Sequence, residues 1–300
     1  MRISTGQIYR QGVNSMLETQ SSLAKTQLQL STGKRILAPS DDPSAATRVL
    51  KLEQAIETST QYQRNADHAD ARLALEESIM ISVGDILQRV RELAVQAGND
   101  TLSAADRAAI ALEVKESLDG VIQLANTRDS NDEYLFAGYQ VGTEPFTHDG
   151  VGNFSYNGDQ GVRSLQIGPN RKVSIGDSGD AVFMRVDDGA GGIGSIFETL
   201  YEFAADLDVD NPSPITLTRL DSALEAVTTT RSSIGARMNA IENQRGANES
   251  FSLLMQENRS QLQDLDYAEA VSRFEQQMLA LQASQQSYIK IQGLSLFNYL

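Results

Sequence analysis

The sequence predicts a mainly α-helical protein with a small β insertion, built as a long antiparallel helical bundle in which the N- and C-terminal parts pair as a coiled coil. Three observations predict it. Apolar residues recur at helical spacing over both ends of the 300-residue chain. Around Tyr134 that periodicity gives way to a stretch rich in glycine and turn residues. The layout is symmetric although no repeat is present, and the simplest packing of two helical ends around a middle insertion is antiparallel and side by side.

In the first segment Met16, Leu23, Leu30 and Leu37 recur every seven residues, but Gln20 and Gln27 fill the intervening positions. An isolated helix with so thin a seam is marginal in water, so this segment needs a partner: the C-terminal segment, other subunits, or both. The helix then stops and restarts. Gly33 suits a helix C-terminus, Pro39 cannot continue one, and Asp42 followed by Pro43 is an N-cap with proline at the first helical position. A second helix runs from Pro43 into the nineties. Ala69, Leu73, Glu76, Met80, Val83, Leu87, Val90, Ala94 and Ala97 alternate in steps of four and three, a heptad register with one polar interruption at Glu76. "GNDTLSAAD" breaks it, and Ser103 with Asp106 forms a capping box for a third helix whose apolar face is Ile110, Val114, Leu118, Val121 and Ala125.

Residues 136–192 read as a small β-rich insertion. Within it "NFSY" and "RSLQI" flank Asn157-Gly158, which predicts a hairpin between those two runs. "IGSIFETLYEFAADL" is the next helix, and "NPSP" at 211–214 is a break. A long helical zone follows, in which Leu217, Leu220, Leu224, Val227, Arg231, Ile234, Met238 and Ile241 step by three and four. After a less regular middle, Tyr267, Val271, Phe274, Met278, Leu281, Gln285 and Tyr288 do the same. The expected domains are therefore 1–42 pairing with 256–300, a central bundle of 43–135 and 193–255, and the β-rich 136–192.

Composition excludes several function classes. Lys and Arg number 25 against 40 Asp and Glu, a formal charge of −15. Such a chain is repelled by phosphate backbones and by anionic membrane surfaces, so neither nucleic acid nor membrane is an expected partner. With no cysteine there is no disulfide, thiolate nucleophile or zinc-thiolate site. The opening residues contain no apolar run, so no cleaved secretory signal is expected, and no stretch has membrane-spanning length.

The stretch "STGKRILAPSDDPSAA" at 31–46 offers two chemical readings, and both fail. A nucleotide-binding phosphate loop needs glycine where Leu28 stands, Ser or Thr where Arg35 stands, and a preceding strand. A basic helix C-terminus balancing the macrodipole explains Lys34 and Arg35 better. Asp41 and Asp42 supply too few oxygens for a calcium cage, and "DLDVDN" at 206–211 lacks the glycine of a calcium loop at Asn211 and its glutamate at Leu217. The two histidines, His68 and His148, have no partner at ligand spacing. No nucleophile elbow or dinucleotide fingerprint is present. No catalytic, metal or cofactor site is expected.

"MRIST", "STGKRILAPSDDPSAA", "LQRVRELAVQAGNDTLS", "NDEYLFAGY", "PF" at 145–146 and "LQDLDYAEAVSRFEQQMLALQASQQSYIKIQGLSLFNYL" together resemble the flagellin superfamily, over both helical ends and well over half of the chain. "YLFAGY" followed by "PF" is more typical of its junction members, which adapt hook to filament, than of the filament-forming flagellins that are the alternative. The resemblance implies a flagellin-like fold and a structural, extracellular role in the bacterial flagellum. It implies export without a cleaved signal through the flagellar type III channel, and assembly of copies into a ring that contacts a second hook-associated junction protein and flagellin. Met16, Leu23, Leu30 and Leu37 with Tyr267, Val271, Phe274, Met278, Leu281 and Tyr288 become the assembly surface. The C-terminal part of that surface also becomes the face an export chaperone grips. Gly33, Pro39, Asp42 and Pro43 become the joint between the inner tube and the next layer, with the β insertion outward. Arg89, Leu93 and Glu113 match a flagellin surface read by a vertebrate innate receptor. Arg89 and Leu93 lie off the strict heptad register, which predicts that they are exposed.

Overall fold

A computed structural model describes residues 5–189 and 191–293. The first four residues of "MRIST" and the final "LSLFNYL" of the family resemblance lie outside them. The described residues form six α-helices: α1 (Thr5–Thr32), α2 (Pro43–Ala97), α3 (Ala104–Ala125), α4 (Ile196–Asp208), α5 (Ile215–Gln263) and α6 (Tyr267–Gly293). Between α3 and α4 lie three two-stranded antiparallel sheets. They pair β1 (Phe146–His148) with β2 (Phe154–Tyr156), β3 (Ser164–Gly168) with β4 (Arg171–Ser174), and β5 (Val186–Asp187) with β6 (Ile193–Gly194). A one-turn π-helix spans Asp180–Met184. By contact the chain divides into two units, Met1–Thr58 with Phe251–Leu300, and Ser59–Ser250. The β-rich insertion belongs to the second.

In the unit Ser59–Ser250 the heptad positions of α2 are the core. Ala69, Leu73, Met80, Val83, Leu87, Val90, Ala94 and Ala97 are buried, and so is Glu76. Ser103 caps α3 through the box with Asp106, and Ile110, Val114, Leu118, Val121 and Ala125 are buried beneath it. On α5, Leu220, Val227, Ile234 and Ile241 are buried, while Arg231 turns outward to Glu77 at 3.0 Å.

The apolar stripe of α2 is wider than a coiled-coil seam because α2 is flanked on two sides. Arg89 reaches Glu113 on α3 at 2.8 Å, and Arg91 reaches Asp221 on α5 at 2.5 Å. Gly84 abuts Val227 of α5, and Gly120 of α3 abuts Ile86. A helix with neighbours on two sides buries flanking positions as well as the a/d line. This overturns one expectation: Leu93 is not exposed but 2% exposed, packed in the core beside Val90 and Ala94.

The insertion is centred on aromatic rings. Phe146 lies 5.3 Å from Phe183, 5.0 Å from Phe197 and 5.3 Å from Tyr156, ring centre to ring centre, and Phe136 meets Phe183 edge-on at 5.2 Å. The strand pairing corrects the sequence reading. "NFSY" pairs backward with β1, and "RSLQI" pairs forward with β4, so Asn157-Gly158 joins two hairpins and turns neither. The reason lies in what Asn157 and Gly158 touch. The Asn157 backbone N–H donates to the Pro145 carbonyl at 2.8 Å and its side-chain amide to Thr147 Oγ1 at 3.0 Å, closing the open end of β1–β2. Gly158 is needed for close approach, since a Cβ there would stand 2.9 Å from the Ala137 carbonyl. The actual β1–β2 turn is organised by Asp149, whose Oδ1 accepts from the Val151 and Asn153 amides at 2.9 and 3.1 Å.

Candidate assembly interface and joint

Within the unit Met1–Thr58 with Phe251–Leu300, α1 and α6 pack along each other. Tyr9 meets Tyr288 edge-on at 6.0 Å, and Gly12 lets the Tyr288 ring approach. Met16, Leu23 and Leu30 of α1, Leu37 beyond it, and Phe274, Leu281 and Tyr288 of α6 are half-buried. Tyr267, Val271 and Met278 are instead exposed, at 55%, 45% and 42%. The C-terminal stripe therefore splits. Its inner line is Ala270, Phe274, Gln277, Leu281, Ser284 and Tyr288, and its outer line carries Val271 and Met278 away from the helix pair, with Tyr267 exposed except where its hydroxyl approaches Gly33. Leu17 and Leu28 of α1 also point outward.

The joint predicted at Gly33, Pro39, Asp42 and Pro43 lies in this unit. Gly33 ends α1 with a φ of +70°, the left-handed conformation that favours glycine. Pro39 sits in the 38–41 turn, closed by the Asp41 N–H donating to the Ala38 carbonyl at 2.9 Å. Asp42 Oδ1 accepts from the Ala45 N–H at 2.9 Å, and Pro43 is the first residue of α2. Asp41 holds the turn from inside. Its Oδ2 accepts from the Leu37 and Ala38 amides, each at 3.1 Å, and its Oδ1 from Lys25 Nζ at 2.6 Å. The Lys25 ammonium first, then the two amides, hold its carboxyl below the ordinary aspartate range.

Sequence reasoning missed the second half of this joint. The chain breaks again between α5 and α6, and the two breaks pair. The Arg35 N–H donates to the Gln263 carbonyl at 2.7 Å, and the Leu265 N–H to the Gly33 carbonyl at 2.9 Å. Arg35 Nη2 donates to the Leu262 carbonyl at 2.8 Å, so the Arg35 guanidinium seals the C-terminus of α5 and not that of its own helix. Buried Gln29 donates to the Arg35 carbonyl at 2.6 Å. Asp266 caps α6 through the Ala268 and Glu269 amides at 2.9 and 3.2 Å. The signal for it was Asp266 with Glu269 three residues on, the spacing of a helix start.

Gly33 is the sensitive position. A Cβ there would meet the Tyr267 hydroxyl at 2.9 Å and would force an L side chain into a left-handed backbone. Gly33→Ala is expected to cost about 1–2 kcal/mol, read as faster hydrogen exchange at the Arg35 and Leu265 amides. Unchanged protection there would show that the joint is not held by this contact.

Arg89 and Glu113 form an exposed ion pair in the other unit, with Glu92 3.4 Å from Arg89. Leu93 lies beneath them, closed to any partner of the folded chain. Among the described residues no group of three or more His, Asp and Glu is placed to hold a metal ion, and no helix is long and apolar enough to cross a membrane.

The chain matches the bacterial flagellin N-terminal helical region over residues 3–141 and the flagellin C-terminal helical region over residues 217–300. It is 32% identical to flagellar hook-associated protein 3 of Escherichia coli strain K12, over 99% of both chains. A flagellin of Clostridium tyrobutyricum is 32% identical over 43% of this chain and 34% of its own. The crystal structure of Xanthomonas campestris FlgL superposes with a TM-score of 0.62 at 25% identity, covering 70% of this chain and 99% of that one. The two matched helical ends and the full-length likeness agree: the chain belongs to the flagellin superfamily, among the flagellar hook-associated protein 3 family.

Proposed function

We propose that the chain is a structural junction protein of the bacterial flagellum, copies of which form a ring that adapts the hook to the flagellin filament and catalyses no reaction. The observation that carries this reading is the extent of the likeness. Identity to the Escherichia coli hook-associated protein is 32% over 99% of both chains, insertion included, whereas the flagellin matches are weaker, being either shorter or less identical. The two-sided α6 supports it. Phe274, Leu281 and Tyr288 are half-buried on the α1 side, while Val271, Met278 and the outer part of Tyr267 are exposed to neighbouring subunits. Those neighbours are other copies, a second hook-associated junction protein and flagellin. Before assembly the chain travels unfolded through the type III channel, and a chaperone grips α6 in the cytoplasm.

A strain lacking the gene is expected to carry hooks without filaments and to lose flagellin to the medium, as seen by electron microscopy and by blotting the culture supernatant. Filaments of normal length on that strain would overturn the reading. Purified chain that grows long filaments alone would favour a filament-forming flagellin.

A further inference from the structure

Glu76 stands on α2 in line with Leu73 and Met80 and is 1% exposed, in the middle of an apolar stripe. Its Oε1 accepts one hydrogen bond, from the Asp177 N–H at 3.0 Å, and its Oε2 is buried with no partner. An ionised carboxylate offers about four acceptor sites. One filled site does not offset burial of the charge.

The surrounding charges do not supply what is missing. On α2 itself, Arg72 stands one turn before Glu76, but its Nη1 lies 2.6 Å from Asp129 and 3.7 Å from Glu133, both in the loop after α3. From α5, Arg237 is paired with Asp177 and reaches the Ser174 and Gly176 carbonyls at 3.5 Å. From the insertion, Asp177 brings a second negative charge, and Arg163 is held by Glu133 at 2.5 Å. Glu77, next on α2, is turned to Arg231 of α5. The cluster thus sets four carboxyls (Glu76, Asp129, Glu133 and Asp177) against three guanidiniums (Arg72, Arg163 and Arg237), each already bound to one of the other three acids. Glu76 is the acid left over.

We propose that Glu76 is a proton-operated catch for the β insertion: neutral, it holds the 175–178 segment against α2; ionised, it repels Asp177 and loosens that segment. Burial first, and the Asp177 charge second, push the Glu76 carboxyl up to about 7, against the opposing pull of Arg237, the Asp177 amide and Arg72. When the segment opens to water, the group returns to its ordinary value of 4.5. Opening therefore releases a proton at any pH between these two values. Raising the pH through that window favours opening, and the effect is complete above it. The insertion is fastened more firmly in acidic medium than in alkaline medium.

Hydrogen exchange of the full chain tests this. After correction for intrinsic exchange rates, protection of the 175–184 amides is expected to fall roughly thirtyfold from about pH 5.5 to about pH 8.5, with α3 unchanged. Glu76→Gln keeps the oxygen that accepts from Asp177 and removes the titration, so its protection should be flat with pH. Asp177→Asn removes the nearby negative charge and should move the transition to lower pH. Flat protection in the wild-type chain, or an undiminished pH dependence in Glu76→Gln, would overturn the catch. Should Glu76→Gln not fold, an unmoved transition in Asp177→Asn overturns it as well.

Discussion

Phe197→Ala is expected to destabilise the unit Ser59–Ser250 by about 3–5 kcal/mol, the loss of a fully buried aromatic ring. The cost is at the high end because this ring joins separate elements. It stacks on Phe183 of the π-helix at 5.6 Å and on Phe154 of β2 at 5.5 Å, and meets Phe146 of β1 at 5.0 Å. Its own backbone is fixed at the start of α4, where its N–H donates to Ser195 Oγ at 3.1 Å and Glu198 completes the capping box. A helix start so anchored cannot shift to fill the cavity, and neither can three rings held by short strands and a π-turn. Urea unfolding followed by circular dichroism should show a lower midpoint with an unchanged slope. A loss below about 1 kcal/mol would mean that the insertion unfolds apart from the helices beneath it.

Removing residues 260–300 is expected to unfold α1 and to abolish chaperone capture. Alone, α1 has little to hold it: no acidic residue in its first turn, no basic residue in its last, and a seam of half-buried side chains. Its partner surface is Phe274, Leu281 and Tyr288, and its lower end is tied through Gly33 and Arg35 to residues of the α5–α6 break. Truncation removes all of these at once. Exchange at the α1 amides should rise to the rate of an unstructured chain, and a pull-down with the purified export chaperone should recover nothing. The milder Phe274→Ala/Leu281→Ala variant should weaken both in parallel. Retained chaperone binding by the truncated chain would place the grip elsewhere.

The features legible in the sequence were those written in local backbone chemistry. Asp42-Pro43 and Ser103 with Asp106 start helices where capping predicts, and the α2 heptads are buried where their period predicts. What sequence reading missed depends on which elements become neighbours. Asn157-Gly158 has the composition of a turn, but the carbonyl of Pro145 and the hydroxyl of Thr147, both distant in sequence, decide its role. Leu93 is off the heptad line, yet it is buried in the core of a helix that has neighbours on two sides. The split of the C-terminal stripe has the same cause. One periodic row looks uniform until α1 covers Phe274, Leu281 and Tyr288 and leaves Val271 and Met278 outside.

The paired breaks have a consequence in time. Arg35 and Leu262 are 227 residues apart, and the main-chain bonds from Gly33 and Arg35 close loops of similar size. Contacts so remote carry a large loop-closure entropy and form slowly compared with the local contacts of α2 and α3. A chain emerging N-terminus first would hold α1 without its mate until nearly every residue had followed. For that interval α1 is an unclaimed apolar strip, and whichever surface reaches it first, its own C-terminus or a neighbouring molecule, determines whether the result is a closed monomer or a growing assembly.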